Sequence, residues 1–198
     1  GKELLEKGHV FTTKTDSEVL IHGFEEWGPE LLGRLRGMFG FAIWNTKDRS
    51  LFLARDYFGI KPLHYCVQNG RFLYGSEIKS LLAFPGFEKK FNARALDSYV
   101  SFEYVVPPET FFEGVYAVMP SHYLWYRDGK VETHRYWEPK FAPDESMTEE
   151  QAVSAIEKVF EESVAAHKIS DVEVASYLSS GVDSSYLTYL GQVDRTFT

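Results

Sequence analysis

The sequence has only one cysteine, Cys66, among 198 residues. A single cysteine excludes an internal disulfide and a cysteine-rich zinc site, and it favours a reducing compartment, so we expect a cytoplasmic protein. Basic residues are also scarce, with 21 Lys and Arg against 29 Asp and Glu. This net charge of −8, with no basic run, makes nucleic acid a poor partner. No apolar run approaches the ~20 residues of a membrane span, so we expect no membrane partner either.

The chain also lacks an initiating methionine and begins with Gly1. Its first ten residues, GKELLEKGHV, do not resemble a signal peptide, so we expect the chain to begin inside a longer protein. Aromatic residues, by contrast, are abundant, with 16 Phe, 12 Tyr and 4 Trp. They can fill a sizeable core, which excludes disorder for most of the chain.

Apolar residues at helical spacing predict three helices, at Thr15–Trp27, Ser76–Phe84 and Thr148–Lys168. The first and third begin with a threonine followed three residues later by Glu18 or Gln151, which is the spacing of a capping box. Residues 37–136 instead contain apolar runs joined by polar turns, which predict antiparallel hairpins; the turns lie at 45–49, Asn69-Gly70 and Asp128-Gly129.

The pattern changes after a charged segment that contains Pro139 and Pro143. After it, the chain is predicted to alternate between helices and strands, which is typical of a parallel sheet. The helix at Thr148–Lys168 is followed by a strand at Val172–Leu178, a polar turn, a helix at Ser184–Leu190 and a strand at Thr196–Thr198. We therefore expect a boundary near residue 142, with one domain at 1–140 and the start of a second at 148–198.

The turn after the predicted strand at 172–178 has the residue types of an anion site. The carboxyl ends of parallel strands and the amino ends of helices are where such sheets bind ligands. Gly181 permits close backbone approach, the serines of the turn offer hydroxyl donors, and Asp183 could hold Mg²⁺ that bridges to phosphate. The residue types alone leave a second interpretation open, an ordinary serine-rich turn with Ser184 as helix cap.

The same turn resembles a known signature. Ser179–Ser184 is similar to the Ser-Gly-Gly-x-Asp-Ser pyrophosphate loop of the PP-loop ATP-pyrophosphatases. Arg55–Tyr65 resembles the Ala-Arg-Asp-x-x-Gly-x-Lys-Pro-Leu-Tyr-Tyr stretch of glutamine-hydrolysing asparagine synthetases. Three further segments resemble neighbouring pieces of that family: Arg36–Trp44, Gly75–Leu81 and Arg135–Trp137. Together these matches cover nearly the whole chain in the right order.

This resemblance implies an α+β and α/β organisation. A layered antiparallel-sheet glutaminase domain of the N-terminal-nucleophile hydrolase class would be followed by the start of a parallel-sheet PP-loop domain. It implies a carbon–nitrogen ligase that uses ATP, Mg²⁺, aspartate and glutamine, forms an aspartyl-adenylate, and releases asparagine, AMP and pyrophosphate. A homodimer is a further expectation.

The resemblance also implies roles for particular residues. The predicted ATP-binding residues are Leu178, Ser179, Ser180, Gly181, Asp183 and Ser184, and Asp183 would also be the metal ligand. Ser180 stands where glycine is commoner, so a positive φ there would cost about 1 kcal/mol or more. Asp16 matches the aspartate that grips the α-ammonium of glutamine, although a carboxylate there could also just stabilise the helix dipole.

The sequence departs from the family pattern at the amino terminus, and alternatives for the function remain. The family nucleophile is an amino-terminal cysteine, and residue 1 here is glycine, so no catalytic residue is assigned. Cys66 lies in a predicted strand and is expected to be a small buried hydrophobe. The six histidines show no metal-type spacing, and Arg55 with Asp56 is expected to form an ion pair that fixes the next turn. A related PP-loop amidotransferase, a β-lactam synthetase-like enzyme and a degenerate non-catalytic paralogue remain alternatives.

Overall fold

The computed structural model of the chain describes residues 1–198 and divides into two compact units, Gly1–Pro139 and Lys140–Thr198. The first unit contains helices and strands in this order: α1 (Lys2–Glu6), α2 (Asp16–Trp27), a 3-10 helix (Gly28–Arg34), β1 (Gly40–Asn45), β2 (Ser50–Arg55), β3 (His64–Gln68), β4 (Arg71–Gly75), α3 (Ile78–Leu82), α4 (Ala93–Phe102), β5 (Val115–Ala117), β6 (His122–Arg127) and β7 (Lys130–Arg135).

The strands of the first unit form two antiparallel sheets. The larger sheet has the order β1-β2-β6-β7, and the smaller has the order β4-β3-β5. Phe52 in β2 lies between Ile43 of β1 and Trp125 of β6, so β2 is a central strand. The expected antiparallel hairpins are confirmed.

Alternation along β2 places apolar side chains on both faces of the larger sheet. Leu51 and Leu53 point into a core shared with Tyr65 and Phe72 of the smaller sheet. Phe52 and Ala54, on the other face, pack in a cluster that includes Leu32 of the 3-10 helix and Phe24 of α2. Because successive residues of a strand face opposite sides, β2 is buried on both faces.

The smaller sheet repeats this two-faced pattern. Tyr65 of β3 faces the shared core, whereas its neighbour Cys66 packs with Leu81 of α3 and Val115 of β5. The first unit therefore has four layers, with helix, larger sheet, smaller sheet and helix in that order. This arrangement confirms the layered antiparallel architecture.

Two of the three predicted hairpin turns have the backbone that their residues require. Asn69 and Gly70 have φ values of 53° and 70°, and Asp128 and Gly129 have values of 49° and 78°. Positive φ at both central residues is the geometry that matches the twist of paired strands, and Asn-Gly and Asp-Gly favour it.

The second unit is smaller and contains parallel strands. It consists of α5 (Glu149–His167), β8 (Ser176–Tyr177), α6 (Val182–Gly191) and β9 (Thr196–Phe197). β8 pairs with β9 in parallel, as the alternating pattern predicted. The capping box of α5 is confirmed, with reciprocal hydrogen bonds between Thr148 and Gln151.

Several sequence predictions of elements were wrong in extent. The strand predicted at 172–178 contains only β8, and the helix predicted at 76–84 is limited to α3. α1, the 3-10 helix, α4 and β5 were not predicted, since short elements of three to ten residues give little periodic signal. No helix is both long and apolar enough to cross a membrane.

Candidate functional site

The serine-rich turn connects β8 to α6 and lies at the surface of the second unit. Leu178 extends the parallel pairing by donating its N–H to the carbonyl of Phe197 at 2.8 Å. Gly181 is the N-cap of α6, with φ −76° and ψ 157°. Ser179 and Asp183 are exposed. The turn thus presents the amino end of a ten-residue helix to solvent beside the carboxyl end of a strand.

The serine hydroxyls hold this turn in one shape. The Ser184 hydroxyl donates to the Gly181 carbonyl at 3.1 Å and accepts from the Ser179 amide at 3.3 Å. Ser179 and Ser184 also share a hydroxyl hydrogen bond of 3.0 Å. Ser185 adds a bond of 2.8 Å to the same Gly181 carbonyl. The predicted residues Ser179, Gly181 and Ser184 are therefore brought together before any ligand binds.

Ser180 adopts the left-handed conformation, with φ 61°. Its hydroxyl donates to the Ser179 carbonyl at 2.6 Å, so it is turned toward its own backbone. The positive φ considered for this position is therefore present, and serine there carries backbone strain.

Asp183 lies in the first turn of α6 and has no hydrogen-bond or ion-pair partner within the chain. One carboxylate with nearby serine hydroxyls is an all-oxygen donor set. This fits Mg²⁺, which is usually held by one or two carboxylates while substrate phosphates and water fill the other positions. Asp183 is thus free to bind a metal, and Ser184 is its nearest oxygen-bearing neighbour in sequence.

A second feature of this unit is an apolar cavity of about 320 Å³ between α5 and α6. Its lining includes Phe160, Val164 and Leu187 but none of residues 178–185. The candidate anion site is therefore an open surface turn and not this cavity.

Asp16 is the first residue of α2, exposed and without a hydrogen-bond or ion-pair partner. The capping box predicted for this helix does not form, because Glu18 turns away from Thr15. Glu18 instead accepts the backbone amides of Thr12 and Thr13, each at 2.6 Å, and both threonine hydroxyls. These hydrogen bonds lower the pKa of Glu18 to about 2, and the bond from the Thr12 amide contributes most. The carboxylate of Glu18 thus orders the segment before α2 and leaves that of Asp16 free.

The turn after β2 is organised by Asp56, which is 1% exposed. Its carboxylate accepts backbone amides from four residues, at distances of 2.9–3.2 Å: Phe39, Phe58, Ile60 and Lys61. Arg55 points elsewhere and donates to the carbonyls of Gly59, Lys61 and Val118 at 2.7–2.8 Å. The prediction of an ion pair between Arg55 and Asp56 is therefore wrong. Each charge is stabilised by backbone dipoles, most of which come from the turn at residues 58–61.

Gly59 completes this turn and has φ 67°. A Cβ at this position would lie 2.8 Å from Pro120 Cγ and 3.1 Å from Arg55 Cζ. Both the backbone conformation and the close approach of Arg55 require glycine. The sequence motif therefore specifies a rigid backbone loop.

Cys66 is buried, at 2% exposure, in the middle of β3. Burial raises the pKa of its thiol, which keeps the thiol protonated. The expectation of a packing residue is confirmed.

Glu77, another carboxylate near the sheets, precedes α3 and forms an exposed ion pair with Lys79 at 2.5 Å. No site is assigned to it.

Comparison with known proteins gives matches in both units. A family model described as a glutamine amidotransferase domain matches residues 1–137, and one described as asparagine synthase matches residues 155–197. The chain is 35% identical over 190 residues to asparagine synthetase (glutamine-hydrolyzing) 3 of Bacillus subtilis, with 94% of this chain and 30% of that protein covered.

Of two further relatives, one carries the same enzyme name and the other is named as an amidase. A putative asparagine synthetase (glutamine-hydrolyzing) of Mycobacterium bovis is 40% identical over 190 residues, covering 92% of this chain and 29% of that protein. Amidase chry2 of Gibberella zeae is 38% identical over 180 residues, covering 88% of this chain and 26% of that protein. The chain thus spans less than a third of the length of these curated relatives.

Proposed function

We propose that the protein containing this chain, which belongs to the glutamine amidotransferase domain family, is a glutamine-dependent asparagine synthetase. The observation that carries the proposal is the pairing of that domain with a second unit whose residues 155–197 match the asparagine synthase family and include the exposed turn at 178–185. The first unit would be a glutaminase domain of the N-terminal-nucleophile class, and the second the start of a PP-loop domain.

The proposed reaction has two halves. Hydrolysis of the glutamine side-chain amide gives glutamate and ammonia. A carboxylate oxygen of aspartate attacks the α-phosphorus of ATP, pyrophosphate leaves, and ammonia then attacks the acyl carbon of the aspartyl-adenylate to release AMP. Activation is needed because an anionic carboxylate resists nucleophiles, whereas its mixed anhydride has a good leaving group.

Each site residue has a role in this proposal. The amino end of α6 and the hydroxyls of Ser179 and Ser184 would bind the phosphates that leave as pyrophosphate. Mg²⁺, when bound, would neutralise charge that develops on those phosphates, and Asp183 would hold it. Leu178, Ser180 and Gly181 would shape the backbone around the nucleotide. Asp16 would accept hydrogen bonds from the α-ammonium of glutamine, which its free carboxylate permits.

A matched pair of variants in the full-length protein tests these assignments. Asp183→Ala should lower aspartate-dependent AMP formation about 100-fold or more with either glutamine or ammonia, since charge on the leaving group loses its counterion. Asp16→Ala should raise the KM for glutamine about 10- to 100-fold and leave ammonia-dependent asparagine formation unchanged.

Asp194→Ala, at an exposed position of the second unit outside the turn, serves as the control and should retain both activities. Undiminished AMP formation by the Asp183 variant would remove the role assigned to the turn.

The similarity to a fungal amidase, close to that of the synthetases, favours a second candidate function. A related amidotransferase or β-lactam synthetase-like enzyme would adenylate a different carboxylic acid. The same assay distinguishes the two, because AMP would then form with an acid other than aspartate and no asparagine would appear. A degenerate paralogue would form no AMP with any acid. A cytoplasmic location and a homodimer are further parts of the proposal.

A further inference from the structure

Two histidines from different segments of the first unit lie side by side. His9 follows α1 and His22 belongs to α2, and their Nδ1 atoms are 3.2 Å apart. Both are largely buried, with side-chain exposures of 17% and 19%. A carboxylate oxygen of Glu25, on the same helix as His22, lies 3.5 Å from His22 Nδ1. One ligand atom from each of the three residues lies within 4.8 Å of the others.

The outer nitrogen of each ring faces a carboxylate. His9 Nε2 is 3.4 Å from Glu26 Oε2, and His22 Nε2 is 3.6 Å from Glu18 Oε1. Because an ionised carboxylate only accepts hydrogen bonds, the contact with Glu26 places hydrogen on His9 Nε2. His22 Nε2 faces Glu18 without a hydrogen bond, and hydrogen on that nitrogen would make it a donor to Glu18 after a small movement. A neutral imidazole with hydrogen on Nε2 has a lone pair on Nδ1. The two Nδ1 lone pairs then lie close together and repel each other unless a cation is shared between them.

We propose that this cation is a divalent transition metal such as Zn²⁺, bound by His9 Nδ1, His22 Nδ1 and a carboxylate oxygen of Glu25. In a tetrahedral zinc site with Zn–N bonds of 2.0–2.1 Å, two ligand nitrogens are about 3.3 Å apart, close to the separation found here. Two imidazoles and one carboxylate select zinc-like metals over Mg²⁺ and Ca²⁺, which prefer oxygen ligands alone.

The surroundings of the three ligands are those of a metal site. Histidine ligands of metals usually donate their second ring N–H to a carboxylate, which fixes the tautomer and the ring orientation. Glu26 is in turn held by Lys7 Nζ at 2.5 Å, and Glu18 is fixed by Thr12 and Thr13. His22 Nε2 is a buried nitrogen without a hydrogen bond, so a small ring rotation on metal binding would bring it to Glu18.

The consequence of such a site is structural and is independent of the proposed function. His9 lies 13 residues before His22, so the metal would close the segment between α1 and α2 into a loop fixed to the helix. The free energy of metal binding would add to the stability of the folded first unit. The side chain of Glu25 is 64% exposed, which leaves a fourth position for water.

Calorimetric titration with Zn²⁺ tests the proposal directly. The full chain, produced without a histidine tag and stripped of metal by a chelator, should bind one Zn²⁺. His9→Ala and His22→Ala should each weaken binding at least 100-fold. Glu26→Gln should weaken it about 10- to 100-fold, which is the usual effect of removing a carboxylate that orients a ligating histidine.

His134→Ala, which removes an exposed histidine outside the cluster, is the matched control and should bind Zn²⁺ as the unmodified chain does. Glu25→Gln changes the most exposed ligand, so it tests the site with the least effect on folding, and it should weaken binding at least 10-fold. Absence of one-to-one binding would overturn the proposal and leave a shared proton between the histidines. Unchanged affinity in the Glu25 and His22 variants would overturn it as well.

Discussion

Asp56 is a buried carboxylate whose four hydrogen bonds all come from backbone amides. A buried donor left without its acceptor costs about 1–3 kcal/mol, and the four amide bonds to Asp56 are partly buried. Asp56→Ala should therefore lower the free energy of unfolding of the first unit by about 3 kcal/mol or more, as measured by urea denaturation. Asp56→Asn keeps one accepting oxygen, so it should cost about half as much. Equal losses for the two variants would contradict this account.

Ser180 carries the cost of a left-handed backbone, with φ 61°. Ser180→Gly should remove about 1–2 kcal/mol of strain while the unfolded chain gains freedom worth about 0.5–1 kcal/mol, so a net stabilisation of about 0.5–1 kcal/mol is expected. Hydrogen exchange at the amides of residues 178–185 measures it.

Ser179→Gly is the matched control, because Ser179 has no positive φ and its hydroxyl is bonded to Ser184. That variant should speed exchange at the same amides. If Ser180→Gly also speeds exchange, the strain argument fails.

At the scale of the element, the start of α2 depends on Glu18. Its pKa is lowered to about 2 from a usual 4.5, so between these values the unfolded chain binds a proton that the folded chain does not. Stability from this carboxylate is full above about pH 4.5 and is lost as the pH falls through about 2.

Glu18→Gln should therefore be less stable than the unmodified chain near pH 6, with a difference that shrinks between pH 5 and pH 2. Urea denaturation at a series of pH values measures this difference. A difference that stays constant with pH would show that the carboxylate charge is not involved.

The two predicted capping boxes differ for a physical reason. In α5 the threonine and Gln151 bond to each other, as the spacing predicts. In α2 the equivalent carboxylate finds two pairs of amide and hydroxyl donors in Thr12 and Thr13, so four donors replace one. A local sequence pattern predicts the cap only where no stronger set of donors lies within reach.

At the scale of the whole molecule, the first unit owes its layers to strands with two apolar faces. β2 and β3 each present alternate residues to different clusters, so two sheets and two helical layers enclose three groups of buried side chains. The second unit is built differently, since α5 has no buried residue and Val153, Ile156 and Val159 are exposed. The second unit matches the asparagine synthase family over residues 155–197. The two units together cover 30% of the length of the Bacillus subtilis relative.

Four features could be predicted from the amino-acid sequence: the hairpins, the capping box of α5, the parallel alternation after residue 148 and the serine-rich turn. Each of them depends on residues within a few positions of one another. The partners of Arg55 and Asp56, the contacts of Glu18 and the proximity of His9 to His22 could be found only in the folded chain. These contacts join segments separated along the chain or compete with a nearer partner, so side-chain geometry in the folded unit determines which donor and acceptor lie within reach.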